Sequence, residues 1–227
     1  MSILILNIET TTKNCSVSLS KDGKEIALKE INDGGYSHAE NLHPFIETIL
    51  AETQHQFSDL SAVAVSKGPG SYTGLRIGVS AAKGFCFALD IPLISIDTLQ
   101  ALAHQVKIET DVIIPILDAR RMEVYQTVFD LTHKRIENTK AMVVDAETYD
   151  NYLNTKKVVF LGDAVLKIKE IIQHKNAIFI DDAFPSAREM VRLSYEKFLQ
   201  KNFEDVAYFE PYYLKDFIAI KSTKKYF

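Results

Sequence analysis

Two stretches of this chain, "NIETTTKNCSVSL" and "PILDARRMEVYQTV", share one plan: an apolar strand ending in an acid, a polar turn, and a returning strand of alternating pattern. The acids are Glu9 and Asp118. A repeated element order restricts the fold strongly, because each copy must bury equivalent faces against a similar set of neighbours. Each half reads as three strands, helix, strand, helix. The first half runs "ILILNIE", "CSVSLS", "KEIALKEI", then a helix over 38–54 with Leu42, Phe45, Ile46, Ile49 and Leu50 at helical spacing. It continues with "SAVAVS", the helix "TGLRIGVSAAKGFCFALD", "PLISI" and "TLQALAHQV". The second half runs "DVIIPILD", "MEVYQTVFD", "RIENTKAMVV", "AETYDNYL", "KKVVFLGD", "AVLKIKEIIQH", "NAIFI" and a helix around "SAREMVRLSYEKFLQ".

Alternating strands and helices define an α/β class. A duplicated three-strand meander with crossover helices is the topology of the actin-like (ASKHA, ribonuclease H-like) ATPase fold, with two mixed-sheet lobes. In that fold the two hairpin turns face each other across a cleft and hold nucleotide phosphates. The boundary falls in "HQVKIETD", giving an N-terminal lobe 1–106 and a C-terminal lobe 107–227.

At 227 residues and 47% hydrophobic composition, the chain can bury a sizeable core. No apolar run approaches the roughly 20 residues that span a bilayer, and "MSILILNIETTTKN" lacks a basic leader and cleavage site. The expectation is a cytoplasmic protein with no membrane partner. Cys15 and Cys86 are far apart in apolar stretches and read as two buried thiols. A net charge of −4 argues against a protein that grips nucleic acid unaided. The basic run Lys221, Lys224 and Lys225 reads as a solvated tail.

Four of the nine glycines fall in "SKGPGSYTGLRIG", residues 66–78. The spacing fails the phosphate loop G-x-x-x-x-G-K-[ST], since Leu75 and Arg76 follow Gly74. A looser anion site at the helix start, with Ser71 and Thr73 as candidate caps, remains open. Gly68 and Gly70 flank Pro69 and predict a sharp turn with positive φ at one or both glycines. Gly74 and Gly78 lie one above the other on the helix, and Ala81, Ala82 and Phe85 continue that side. Each helical glycine costs about 1 kcal/mol relative to alanine. Two of them therefore predict close approach of another backbone, either an internal strand or a second protein.

Catalytic machinery is sparse. His38 and His43 are five residues apart, about 140° around a helix, and cannot converge on one ion. His43 and Glu47 have the right spacing but no third ligand. No G-x-S-x-G elbow is present, and neither cysteine has an adjacent base. Asp118, Arg120 and Arg121 at the second turn are the most suggestive polar group, with Glu9 and Thr10 opposite. There an acid could hold Mg²⁺ through water and an arginine could meet a phosphate. These are candidate vestigial nucleotide contacts: Glu9, Thr10, Asp118 and Arg120.

"GPGSYTGLRIGVSAAKG" resembles the signature of the TsaB family, also called YeaZ, in bacterial tRNA threonylcarbamoyladenosine synthesis. The likeness extends to "NIETTTKNCSVSL", "HAENLHPFI", "IPLISIDTLQALA", "DARRMEVY" and "EPYYLKD". Glu9 stands where aspartate is more usual, Met122 where glycine is common, and Lys215 where arginine is. The resemblance implies an actin-like fold and a heterodimer with TsaD, a paralogue that carries the active site. It also implies recruitment of TsaE, and transfer of a threonylcarbamoyl group to N6 of adenosine 37 in tRNAs reading codons that begin with A. In this picture the chain has no catalytic residue or metal of its own. ATP and Mg²⁺ act at the level of the complex, which also carries the tRNA. The implied interface is formed by Leu42, Phe45, Ile49, Gly74, Gly78, Ala81, Ala82 and Phe85, through which the isolated chain could also form a homodimer. The alternative is a stand-alone actin-like ATPase or small-molecule kinase using Glu9 and Asp118. Its weakness is the second half, where "FLGDA" is the only candidate for a glycine-rich adenosine turn.

Overall fold

The computed structural model describes residues 2–35 and 37–215. Among the described residues, ten strands form two sheets of five. The first contains β1 (Leu4–Glu9), β2 (Cys15–Lys21), β3 (Lys24–Ile31), β4 (Ala62–Gly68) and β5 (Leu93–Asp97), in the order β3-β2-β1-β4-β5. The second contains β6 (Val112–Asp118), β7 (Glu123–Asp130), β8 (Arg135–Val143), β9 (Val158–Leu161) and β10 (Ala177–Ile180), in the order β10-β9-β6-β7-β8. In each sheet the first three strands pair antiparallel and the last two add in parallel. The repeat seen in the sequence is therefore a repeat of topology, and the fold is the expected duplicated α/β architecture.

The helices are α1 (His38–Glu52), α2 (Tyr72–Leu89), α3 (Thr98–Ala103), α4 (Asp150–Leu153), α5 (Val165–Lys169) and α6 (Ala187–Leu199). Strand β1 shows how two-residue periodicity serves two faces. Leu4, Leu6 and Ile8 join a core with α1 and α2, whereas Ile5 joins Met190 and Leu193 of α6 on the other face. Asn7 also points to α6, where its Oδ1 accepts a 2.6 Å hydrogen bond from Ser194 Oγ. A buried amide is tolerated there because its polar atoms have partners.

Helix α6 crosses over the linear division at 106/107. That boundary separates the two sheets, but α6 comes from the second half and packs on the first sheet through Ala187, Met190 and Leu193. Conversely, α3 comes from the first half, and Leu99, Leu102 and Ala103 cover Ile113, Leu117 and Phe129 of the second sheet. Each sheet needs an apolar cover on both faces, and each obtains one from the other half of the sequence.

A histidine pair sits at this crossing. His104, just after α3, stacks on His133 of the β7–β8 turn, with ring centroids 4.2 Å apart and planes 20° apart. His104 Nδ1 donates to Gln100 O at 2.8 Å, and its Nε2 accepts from Arg192 Nη2 of α6 at 2.9 Å. A second proton on Nε2 would face the guanidinium. Burial foremost, with His133, Arg192 and Lys107 nearby, holds His104 down to about 4 from an ordinary 6.5. A depressed histidine contributes stability that is present above the unfolded pKa and lost as pH falls towards the folded one. Discounted for partial exposure, this amounts to about 2 kcal/mol between pH 6.5 and 4. Denaturant titrations should therefore show a steeper acid loss in the wild type than in His104→Gln. Parallel pH profiles for the two proteins would refute this account.

Candidate functional site: the glycine helix and the two hairpin turns

Strand β4 ends at Gly68, whose φ of +111° belongs to glycine, and the chain turns through a cis Gly68–Pro69 bond. Gly70 does not share the positive φ; it lies against the first hairpin turn, where an added Cβ would meet Thr11 O at 2.4 Å. Ser71 N donates to Thr11 O at 2.7 Å, and Ser71 Oγ caps α2 by accepting from Gly74 N at 3.3 Å. The loop thus packs on the chain's own first turn, which takes up the Ser71 amide, while Ser71 takes up that of Gly74. The helix ends at Asp90 in the left-handed region, two residues before Pro92.

The glycine stripe faces inward. A Cβ on Gly74 would stand 2.0 Å from Thr10 O, and one on Gly78 would stand 2.3 Å from Thr10 Oγ1. Thr10 Oγ1 donates to Gly74 O at 2.8 Å. The resemblance implied that Gly74, Gly78 and Ala82 admit a partner's helix; all three are buried in this chain, and the two glycines lie against Thr10 of the first turn, with Val65 of β4 beside Gly78. Leu42 and Ile49 are also fully buried in the chain's own core. Phe45, Ala81 and Phe85 lie at the half-buried margin of that core.

A different stripe of α2 faces solvent. Thr73, Arg76, Ser80, Gly84 and Ala88 are exposed, and Phe87 is 85% exposed. Ile77, Ser80, Ala81, Gly84, Phe85 and Ala88 line a groove with His43 of α1. Nothing lies within 4 Å of a Cβ added to Gly84. This mid-helix glycine costs about 1 kcal/mol with no internal contact to offset it. The stripe Ile77, Ala81, Gly84 and Ala88 has the i, i+4, i+7, i+11 spacing of one helical face. That spacing was available in the sequence but lay hidden beside the more conspicuous glycine motif.

The hairpin turns are occupied from within. Glu9 is fully buried: its Oε1 accepts from Thr11 N at 2.6 Å, and Ser66 Oγ donates to Oε2. Burial raises its pKa above the usual carboxylate value, with those hydrogen bonds opposing the shift. Glu9 and Thr10, the candidate nucleotide contacts of the first turn, are thus both engaged by the chain's own Thr11, Ser66 and Gly74. At the second turn, Asp118 N donates to Asp163 Oδ1 at 2.7 Å, and Asp118 Oδ1 accepts from Arg120 N at 2.9 Å. Lys167 Nζ donates to Asp118 Oδ1 and Arg121 O, both at 2.7 Å, and to Glu123 O at 2.8 Å. The ammonium thus lies among oxygens that a divalent cation would need. With Glu9 enclosed as well, these residues do not fit a Mg²⁺-nucleotide. Arg120 and Arg121 are exposed in left-handed conformations, with φ of +70° and +53°.

Among the described residues, no group of three or more His, Cys, Asp or Glu is placed to hold a metal. His38 Nε2 lies 2.7 Å from Thr12 O in the interior, and His43 lies against Phe85. Burial pushes the thiols of Cys15 and Cys86 up to about 12 and about 11, far from the range of a nucleophile. No helix among the described residues is long and apolar enough to cross a membrane.

The segment after α6 straps the site. Glu204 N bonds to Leu93 O at 2.8 Å, and Lys83 Nζ reaches Ala207 O at 3.1 Å and Phe209 O at 3.0 Å. Tyr212 N donates to Lys67 O at 2.7 Å, Tyr213 lies 5.0 Å from Tyr72, and Lys215 pairs with Glu123 of the second lobe. Sequence reasoning found this motif but not its path. Lys221, Lys224 and Lys225 lie outside the described residues.

Residues 33–222 match the family model described as TsaD: tRNA N6-adenosine threonylcarbamoyltransferase. The tRNA threonylcarbamoyladenosine biosynthesis protein TsaB of Bacillus subtilis is 32% identical over 74% of this chain and 75% of its own length. This chain belongs to that family as a TsaB (YeaZ) member. The Haemophilus influenzae TsaB is 29% identical over 97% of both chains. YeaZ from Pseudomonas aeruginosa has the same fold, with a TM-score of 0.78 and 23% identity over 93% of this chain and all of that one. Membership associates the chain with tRNA threonylcarbamoyladenosine biosynthesis.

Gly78→Leu tests the internal role of the stripe. A side chain forced against Thr10 should destabilise the isolated chain by about 3 kcal/mol or more. Thermal and denaturant unfolding of the chain alone would show this, and an unchanged midpoint would contradict the buried placement.

Proposed function

We propose that this TsaB-family chain is a non-catalytic subunit of the complex that transfers a threonylcarbamoyl group to N6 of adenosine 37. In this reading it docks to TsaD, supports the active arrangement of that paralogue, and contributes to recruitment of TsaE. ATP and Mg²⁺ are used by the assembled complex. The observation that carries the reading is the solvent-facing groove of α1 and α2, where Gly84 is open and small residues surround it. The small residues Ser80, Ala81, Gly84 and Ala88 of α2 let a partner's helix approach closely, and exposed Phe87 and half-buried Phe85 supply apolar area beside them. Enclosure of Glu9 and occupation of Asp118 by Lys167 support a role without turnover by this chain.

Gly84→Leu separates partner binding from folding. Built into open space, it should leave the isolated chain as stable as wild type or up to about 1 kcal/mol more stable. The same variant should lose copurification with TsaD and fail to restore threonylcarbamoyladenosine in tRNA of a depleted strain. Retained copurification and modification would remove the groove as the docking face. Steady ATP hydrolysis by the purified chain, abolished by Asp118→Ala, would instead make it an enzyme in its own right.

A further inference from the structure

The groove on α2 is nearly free of charge, but the first turns of the same helix carry a different surface. Arg76 sits over the Tyr72 ring, its guanidinium carbon 4.1 Å from the centroid, and its Nε is 3.4 Å from the Tyr213 hydroxyl. The Tyr72 and Tyr213 rings are 5.0 Å apart and tilted by 42°. Tyr212 is 40% exposed and Tyr208 is 84% exposed on the same strap. Two residues beyond Tyr213, Lys215 reaches Glu123 beside the turn that bears Arg120 and Arg121. The Tyr125 phenol lies within electrostatic range of Lys215, Glu123, Arg120 and Asp118, so strap and turn share one surface. Among the described residues no carboxylate pairs with Arg76, Arg120 or Arg121, whereas Asp118 and Glu123 are each held by a lysine. Unpaired cations therefore collect here on a chain whose net charge is −4.

We propose that this strip, from the Tyr72–Arg76–Tyr213 stack to the Arg120–Arg121 turn, is a contact surface for looped, single-stranded RNA. The inference rests on the functional reading above, which brings a tRNA to the complex. Unstacked bases are recognised by aromatic rings and by guanidinium planes, and exposed Arg76, held over Tyr72 and beside the Tyr213 hydroxyl, offers such a group. Phosphates require cations not already spent on carboxylates, and Arg120 and Arg121 supply two. A protein partner would be served better by the uncharged groove farther along α2. The surface is small and calls for weak binding by the isolated chain, strengthened in the complex by whatever the other subunits contribute.

The probe is a labelled hairpin with the anticodon-loop sequence of a tRNA reading codons that begin with A. Its binding to the full chain is followed by fluorescence anisotropy across a salt series. Arg76→Gln and Tyr213→Leu should each weaken binding about tenfold, the effect of losing one stacked base, while Tyr213→Phe, which keeps the ring, should bind like wild type. The double variant Arg120→Gln, Arg121→Gln should reduce the slope of log affinity against log salt by about 1 to 2. Each variant is checked for an unchanged melting temperature and for copurification with TsaD. Unaltered hairpin affinity in all of them, or no binding by the wild type even at low salt, would overturn the proposal. So would loss of TsaD with unchanged hairpin affinity, which would make the strip a protein contact. Gly84→Leu keeps the two readings separable: loss of the heterodimer with intact hairpin affinity supports both, and wild-type chain that binds the hairpin but never TsaD leaves only this one standing.

Discussion

The structure depends on the contact between the first hairpin turn and the start of α2. Thr10 reaches into the helix so closely that only glycine fits at 74 and 78, and its hydroxyl closes the contact by donating to Gly74 O. Because that turn is tied down, Glu9 is sealed beneath it with Ser66, Thr11 O receives the Ser71 amide, and the β4–α2 loop is fixed in place. The orientation of α2 follows from these contacts, and so does the choice of which residues it turns outward. The solvent-facing groove is thus a consequence of how the opposite side of the helix is anchored.

The two lobes are exchanged as well as joined. Helix α6 covers the first sheet, α3 covers the second, and the strap over residues 204–215 runs from the edge of β5 to Glu123 of β7. A buried polar row supports this arrangement: Asn7 binds Ser194, and Ser18 Oγ donates to Ala187 O at 2.8 Å. Such contacts fix the register of α6 on β1 and β2 more narrowly than apolar packing does, since a slip would leave buried polar atoms without partners. Neither lobe therefore holds a complete core from its own stretch of sequence.

Most of the fold was legible because it is local. Alternating strands, the helical spacing of Leu42, Ile46 and Ile49, and the duplicated acid-turn-strand pattern all appear as the sequence implies. The domain membership of α6 was not legible, since an amphipathic helix records that it has a buried face and not which sheet covers it. The glycine stripe was legible as a site of close approach with an internal strand or a second protein as its neighbour, and the residues alone could not choose, because a glycine reports missing bulk without naming what fills it. Gly84 escaped notice for the related reason that it lies on another face of the same helix. The fate of Glu9 and Asp118 depended on Ser66 and Lys167, which lie 57 and 49 residues away in sequence. No local pattern reports such contacts.

Lys167 supplies the second hairpin turn with a cation from the same chain. An ammonium delivered on a tether is always present at the same local concentration, whatever the supply of magnesium or nucleotide, and it cannot be released by turnover. Because Lys167, Asp118, Arg121 and Glu123 all belong to the second lobe, this tether fixes the β6–β7 turn against α5 of its own lobe. The turn that carries the exposed Arg120 and Arg121 is therefore positioned by the chain's own ammonium.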